Sequence, residues 1–196
     1  MSKRVEFFFD VGSPTTYLAW TQLPQLCADA GAELVCRPML LGGVFQATGN
    51  ASPANVPAKG RHMNDDMARF ARRYGVPLAM NPFFPINTLT PMRGAAGAQL
   101  RAPGRFDAYL RAVFHAMWVE PQNLDDPANA ARVLAAAGFD PAEVMGWAND
   151  AEVKAVLRAN TEEAVARGAF GAPTMFVGTA MFFGQDRLDF VREALG

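Results

Sequence analysis

The stretch Phe7-Phe8-Phe9-Asp10-Val11-Gly12-Ser13-Pro14-Thr15-Thr16-Tyr17 constrains the chain more than any other. The run of bulky apolar residues predicts a buried strand, and Gly12 permits a sharp turn. Pro14 suits the first position of a helix, where its missing N–H would find no intrahelical acceptor in any case. Ser13 is thereby placed at a helix N-terminus. Free backbone N–H groups and the positive end of the helix dipole converge there and stabilise an anion held beside it.

The remaining elements follow from periodicity and punctuation. The first helix runs from about Pro14 to Asp29 with Tyr17, Leu18, Leu23, Leu26 and Cys27 facing a core, and Gly31 stops it. A strand from Glu33 to Pro38 comes next, after a connection long enough to be a right-handed crossover, so a parallel βαβ unit is expected. Glycines and prolines from Gly42 to Pro57 mark a long irregular loop. Helical spacing resumes beyond Lys59 and runs to Tyr74. It recurs over about Thr90 to Arg101, Phe106 to Trp118, Pro127 to Ala137 and Pro141 to Ala148, with Asp126-Pro127 and Asp140-Pro141 as cap signals. His115 sits on an apolar face and is expected in the core. A last long helix spans about Asp150 to Arg167. Thr174 to Val177 and Ala180 to Phe183 then form a hairpin around Gly178-Thr179, and Gly184 opens a short terminal helix.

A chain of 196 residues suits one compact domain carrying a large insertion, with one core. The 18 basic side chains balance 19 acidic ones and form no run, which argues against a nucleic-acid partner. Neither a signal peptide nor a membrane-spanning run is legible, so a cytoplasmic protein without a membrane partner is expected. Cys27 and Cys36 form no C-x-x-C pair and read as small buried hydrophobes, leaving neither a disulfide framework nor a metal spacing.

Set aside the helical block, and the order βαβ then αββα is that of the thioredoxin fold. The expected class is α/β, with residues 1–40 and 150–196 forming the thioredoxin-like domain and 41–149 the loop and all-helical insertion between its halves. Ser13-Pro14-Thr15-Thr16 stands where the redox C-x-x-C of that fold stands, and Gly171-Ala172-Pro173-Thr174 stands where its cis-proline precedes the third strand. Phe9 to Pro14, Leu41 to Phe45, Thr48-Gly49-Asn50, Val56 to Gly60, Gly168 to Thr174 and Phe183 to Leu188 complete a set whose joint order resembles the 2-hydroxychromene-2-carboxylate isomerases. The resemblance extends more distantly to kappa-class glutathione transferases and DsbA-like oxidoreductases. It covers essentially the whole chain.

A serine in place of the attacking cysteine removes disulfide exchange, which requires a protein thiolate. The resemblance implies that glutathione supplies the thiol, with Ser13 and Pro14 beside its sulfur and Ser13 acting as a hydrogen-bond donor rather than as a nucleophile. It implies a cis Ala172–Pro173 bond, with the Ala172 backbone pairing with the cysteinyl unit. Gln185 and Asp186 would take the γ-glutamyl end, and Asn50, Lys59 and Asp66 other polar parts. For Asp66 a plain surface charge is an equal reading, and Asp186 also reads as a helix cap. Phe83, Phe84, Ile86, Phe114 and Trp118 supply apolar surface for an aromatic second substrate, though most of them are expected in the core. One of Asn87, Thr88 and Arg93 is expected to meet its carboxylate, with Arg37 and His62 as further candidates. The implied activity is glutathione-dependent isomerisation of an unsaturated aromatic keto acid, in a homodimer. A kappa-like transferase and a non-catalytic thioredoxin-fold binding protein are the alternatives, the last disfavoured by the glutathione-shaped set of residues. One departure stands out: the family's better-known members carry an aromatic residue after Ser-Pro, where this chain has Thr15.

Overall fold

The fold is taken from a computed structural model that describes residues 3–196. β1 (Arg4–Phe9) lies at the centre of a four-stranded sheet of order β2-β1-β3-β4. α1 (Pro14–Asp29) carries the chain to β2 (Glu33–Pro38), which pairs in parallel with β1, Phe7 opposite Cys36. After the helical block come α8 (Ala151–Ala166) and then β3 (Thr174–Val177), antiparallel to β1 with Met175 opposite Phe7. β4 (Ala180–Phe183) closes the hairpin, and α9 (Leu188–Leu195) ends the chain. These boundaries match those read from the sequence to within a residue or two at most ends.

Successive side chains on a strand point to opposite faces, and here both faces of β1 are covered. Val5, Phe7 and Phe9 join a large apolar cluster with α1, α9 and the helical block. Phe8 faces the other way, edge-on to Phe176 at 5.6 Å, in a smaller cluster with Met39, Val44 and Ala164. The interior is therefore two clusters separated by the sheet, where the sequence suggested one core.

The helical block comprises α3 (Pro57–Tyr74), α4 (Leu89–Arg101), α5 (Phe106–Trp118), α6 (Pro127–Ala136) and α7 (Pro141–Asn149). Asp126 and Asp140 cap α6 and α7 as expected, accepting from Ala128 and Ala142 N–H groups at 2.9 Å each. His115 is a correction: it is exposed, its Nε2 3.9 Å from a Glu120 carboxylate oxygen. The buried stripe of α5 runs through Tyr109, Leu110, Val113, Phe114 and Met117, and His115 falls beside it. Phe83 is likewise exposed rather than part of a pocket wall.

The stretch expected as a loop after Met39 is a second correction. Leu41–Thr48 is a helix, α2, followed by a 3-10 turn at Pro53–Asn55. Tertiary contacts outweigh the helix penalty of its glycines. Val44 is buried on the smaller cluster, and a Cβ on Gly43 would come within 3.2 Å of the Thr161 methyl, so the glycine lets α2 lie close to α8.

The N-terminus of α2 is held by Asp10, at the end of β1. This fully buried carboxylate accepts from the Gly12 N–H at 2.8 Å, the Leu41 N–H at 2.8 Å and the Thr88 hydroxyl at 3.0 Å. It ties the strand end to α2 and to the start of α4. Gly12 is obligatory beside it, because a Cβ would meet the Thr88 methyl at 2.7 Å. From the helical block, Trp118 Nε1 donates to the Val11 carbonyl at 2.7 Å and the Met92 sulfur accepts from the Val11 N–H at 3.3 Å.

Burial raises the Asp10 pKa, opposed by the bonds from Leu41, Gly12 and Thr88. An acid whose folded value lies above its unfolded one holds its proton more tightly when folded. Its contribution to stability is therefore greatest below the unfolded value of about 3.9 and declines as pH rises through the folded value. Urea unfolding of wild type against Asp10→Asn from pH 3 to 7 should show wild type losing stability relative to the variant across that window, then holding level. Asp10→Ala strands buried donors and should cost about 2–4 kcal/mol at pH 7; a change under about 0.5 kcal/mol would remove Asp10 as the anchor of this junction.

Candidate active site

The turn fixed by Asp10 presents Ser13. Its N–H donates to the Asp10 carbonyl at 3.1 Å, and its side chain caps α1 by accepting from the Thr16 N–H at 3.2 Å. Pro14 occupies the first position of the helix. Ser13 is only 6% exposed.

The hairpin side approaches from the opposite direction. The Ala172–Pro173 bond is cis, as expected for this position, and so is Phe84–Pro85. The Ala172 carbonyl oxygen lies 3.0 Å from Ser13 Oγ and 3.2 Å from Thr15 Oγ1, and the two hydroxyl oxygens lie 2.8 Å apart, all within hydrogen-bonding distance. Three oxygens thus converge at the positive end of α1. A hydrogen-bond donor and a helix dipole at one point can stabilise an anion.

The Pro173 carbonyl accepts from the Gly184 N–H at 3.1 Å, which brings the 3-10 turn Gln185–Arg187 beside this loop. Gln185 is buried, its carbonyl accepting from the Tyr74 hydroxyl at 2.6 Å. Asp186 pairs with Arg187 at 3.3 Å. Asn50 reaches the same loop: its amide donates to the Phe170 carbonyl at 2.8 Å, and the Phe170 ring packs at a tilt of 48° against Phe183 with ring centroids 4.6 Å apart. Ser13, Pro14, Asn50, Ala172, Pro173, Gln185 and Asp186 are thereby linked through one set of loops.

The other expected residues lie outside that set. Lys59 is exposed in the first turn of α3, and Asp66, further along, pairs with Arg69 at 3.5 Å. Phe84 packs on Trp118, ring centroids 6.1 Å apart. The Asn87 side chain accepts from the Leu89 N–H at 3.0 Å, shaping the entry to α4. Arg37 is engaged by Glu163, and His62 is exposed on α3.

Arg93 lines a cleft of about 540 Å³ between α2, α4 and α8, together with Lys154, Arg158 and Glu162 over an apolar floor that includes Leu40, Leu89 and Leu157. Among the described residues none of Arg93, Lys154 and Arg158 has a carboxylate within 4.0 Å. Leu41 and Thr88, which donate to Asp10 at the base of the Ser13 turn, are the chain neighbours of Leu40 and Leu89 in the lining of this cleft.

Sequence reasoning singled out neither Asp10 nor Lys154 and Arg158. An acid directly after three phenylalanines was the available signal for Asp10, since a carboxylate in an apolar run demands partners. Lys154 and Arg158 share a helix face by their spacing of four, but nothing local says what that face meets.

Comparison with known proteins fits this geometry. Residues 4–196 match the model of the DSBA-like thioredoxin domain. The chain is 31% identical over 200 aligned residues to the 2-hydroxychromene-2-carboxylate isomerase of Sphingobium xenophagum, covering 100% of this chain and 99% of that protein. It is 28% identical over 204 aligned residues to glutathione S-transferase kappa 1 of Rattus norvegicus, covering 98% and 90% of the two chains. A solved 2-hydroxychromene-2-carboxylate isomerase superposes with a TM-score of 0.86 at 30% identity, over 98% of this chain and 94% of that one. A probable DsbA oxidoreductase from Streptomyces coelicolor shares the fold, with a TM-score of 0.72 at 22% identity over 98% and 88% of the two chains. The chain belongs to the 2-hydroxychromene-2-carboxylate isomerase family of DSBA-like thioredoxin domains.

Proposed function

We propose that the protein binds glutathione at the N-terminus of α1 and uses its thiolate as a transient nucleophile to isomerise an unsaturated aromatic keto acid. The observation that carries this reading is the serine hydroxyl capping α1 against the carbonyl that precedes a cis-proline. The names of the relatives support the substrate class, and the kappa transferases among them support glutathione.

The nucleophile has to come from outside the chain. Burial pushes the Cys27 thiol up to about 11 and, with weaker contributions from nearby charges, the Cys36 thiol up to about 12, so both stay protonated at neutral pH. An ordinary thiol of pKa about 8.5 is also mostly protonated there. Lowering it by about two units takes about 2.7 kcal/mol of preferential thiolate stabilisation. A hydroxyl hydrogen bond to an anion contributes about 1.5–3 kcal/mol and a helix N-terminus about 0.3–1 kcal/mol, which together cover the requirement.

Bound there, glutathione would supply a sulfur nucleophile able to add reversibly to the conjugated carbon–carbon bond, which would free rotation about that bond with no net redox change. Ser13 would donate its hydroxyl hydrogen to the sulfur at the start of α1. On this reading 2-hydroxychromene-2-carboxylate, opened at its ring, interconverts with trans-o-hydroxybenzylidenepyruvate. Ala172 would pair with the cysteinyl backbone, Asn50, Gln185 and Asp186 would hold polar parts of glutathione, and Lys59 and Asp66 would approach from α3. The electrophile's carboxylate is assigned to Arg93, in the cleft it shares with Lys154 and Arg158. Dependence on reduced glutathione fits a reducing, cytoplasmic setting. A transferase outcome, with release of the adduct instead of its reversal, is the second reading, supported by the kappa relatives.

Turnover of the chromene substrate, with and without glutathione and beside an aryl halide, tests both readings. Isomerisation only when glutathione is present supports the first, adduct release from the aryl halide alone supports the second, and absence of both with no calorimetric glutathione binding would overturn them. Ser13→Ala should lower turnover about 10²–10³-fold, the usual cost of one missing oxyanion-type donor, in a protein that still folds and loses only the roughly 1 kcal/mol of the helix cap. Undiminished activity would remove Ser13 from the reaction. Iodoacetamide at pH 7.5 should leave Cys27 and Cys36 of the native protein unmodified by mass spectrometry, and rapid labelling would contradict protonated, buried thiols.

A further inference from the structure

The three oxygens at the start of α1 hold fewer protons than contacts. Ser13 Oγ to Ala172 O at 3.0 Å, Thr15 Oγ1 to Ala172 O at 3.2 Å and Ser13 Oγ to Thr15 Oγ1 at 2.8 Å are three hydrogen-bonding separations. A carbonyl brings no proton and each hydroxyl brings one, so only two of the three contacts carry a hydrogen at a time. The shortest, between the hydroxyls, would bring bare lone pairs together if both protons pointed at the carbonyl. One hydroxyl therefore donates to the other, and the second donates to Ala172.

We infer that Thr15 is a positioning residue whose hydroxyl proton, delivered to Ser13 Oγ, leaves the Ser13 proton free to point at a sulfur anion. The inference rests on the glutathione reading above. In this state Ser13 Oγ accepts from the Thr16 N–H at 3.2 Å and from Thr15, and its own proton goes to the thiolate. Both lone pairs and the proton of the oxygen are then used. Hydrogen bonds in a chain polarise one another, so a Ser13 hydroxyl that accepts two donors is a stronger donor to the sulfur than one that accepts a single N–H. The same rotation releases the Ala172 carbonyl, which becomes available to an N–H of the bound peptide. No covalent bond changes in this step; two hydroxyl protons rotate.

Thr15 is half-buried, with its hydroxyl oxygen 2.8 Å from Ser13 Oγ. The β-branched methyl also restricts the side chain to few rotamers, which keeps Oγ1 near Ser13.

The test is the pKa of protein-bound glutathione, read from thiolate absorbance near 240 nm at saturating glutathione over pH 5–9, for wild type, Thr15→Val and Thr15→Ser. Valine preserves shape and removes the proton, and serine restores it. Thr15→Val is expected to raise the bound thiol pKa by about 0.7–1, a roughly five- to tenfold loss of thiolate below its pKa, with glutathione still bound and Thr15→Ser returning to the wild-type value. A purely structural role would move the unfolding midpoint and leave this pKa in place. An unchanged pKa in Thr15→Val, with a normal lowered value in wild type, would overturn the role of Thr15 while leaving the glutathione reading intact. No glutathione binding to wild type would overturn both.

Discussion

The rest of the site depends on one buried carboxyl group, Asp10, that has no ion-pair partner among the described residues. Asp10 ends the central strand inside an apolar interior and is held there by two backbone N–H groups and a hydroxyl, from Gly12, Leu41 and Thr88. Charge buried without such donors would be prohibitive. The need for them draws three separate stretches of chain to one point. The turn that presents Ser13, the helix that leads to Asn50 and the entry to the helical block all take their positions from that point. The catalytic geometry proposed above is thus a by-product of satisfying one buried carboxyl group.

The helical block consequently does more than fill a gap in sequence. Trp118 and Met92 grip the carbonyl and N–H of Val11, so the turn between β1 and α1 is clamped from the inserted side as well as from the sheet. Phe9 and Phe114 pack with ring centroids 6.4 Å apart, which runs the larger cluster from the strand into α5. The turn thus has a second wall, and Leu41 and Thr88, which share Asp10 with it, are chain neighbours of Leu40 and Leu89 in the lining of the cleft that carries Arg93.

What the sequence made legible was whatever is encoded locally. Strand, turn and helix over Phe7 to Tyr17, the capped helices after Asp126 and Asp140 and the hairpin about Gly178 each carry their signal within a few residues. The α2 helix did not, because Gly42 and Gly43 speak for a loop until Thr161 is known to lie against them. His115 failed for the opposite reason: its neighbours are apolar, but the buried stripe of α5 passes beside it. Phe83 lies in the turn before α4, where no periodicity says which way an aromatic side chain points. Within the site, Ser13 and Ala172-Pro173 were readable as motif positions. Asp10, Lys154 and the Thr15 contact depend on long-range partners and were not.

If, as proposed, the reactive sulfur belongs to bound glutathione and not to the chain, that changes what oxidation can do to the site. Both cysteines are kept protonated by burial, and the residue at the reactive position is a hydroxyl that does not climb the thiol oxidation ladder. Oxidants would then damage the exchangeable thiol, which would be replaced at the next binding event. The donor, the cap and the carbonyl would survive, and activity would follow the supply of reduced thiol with no memory of earlier exposure.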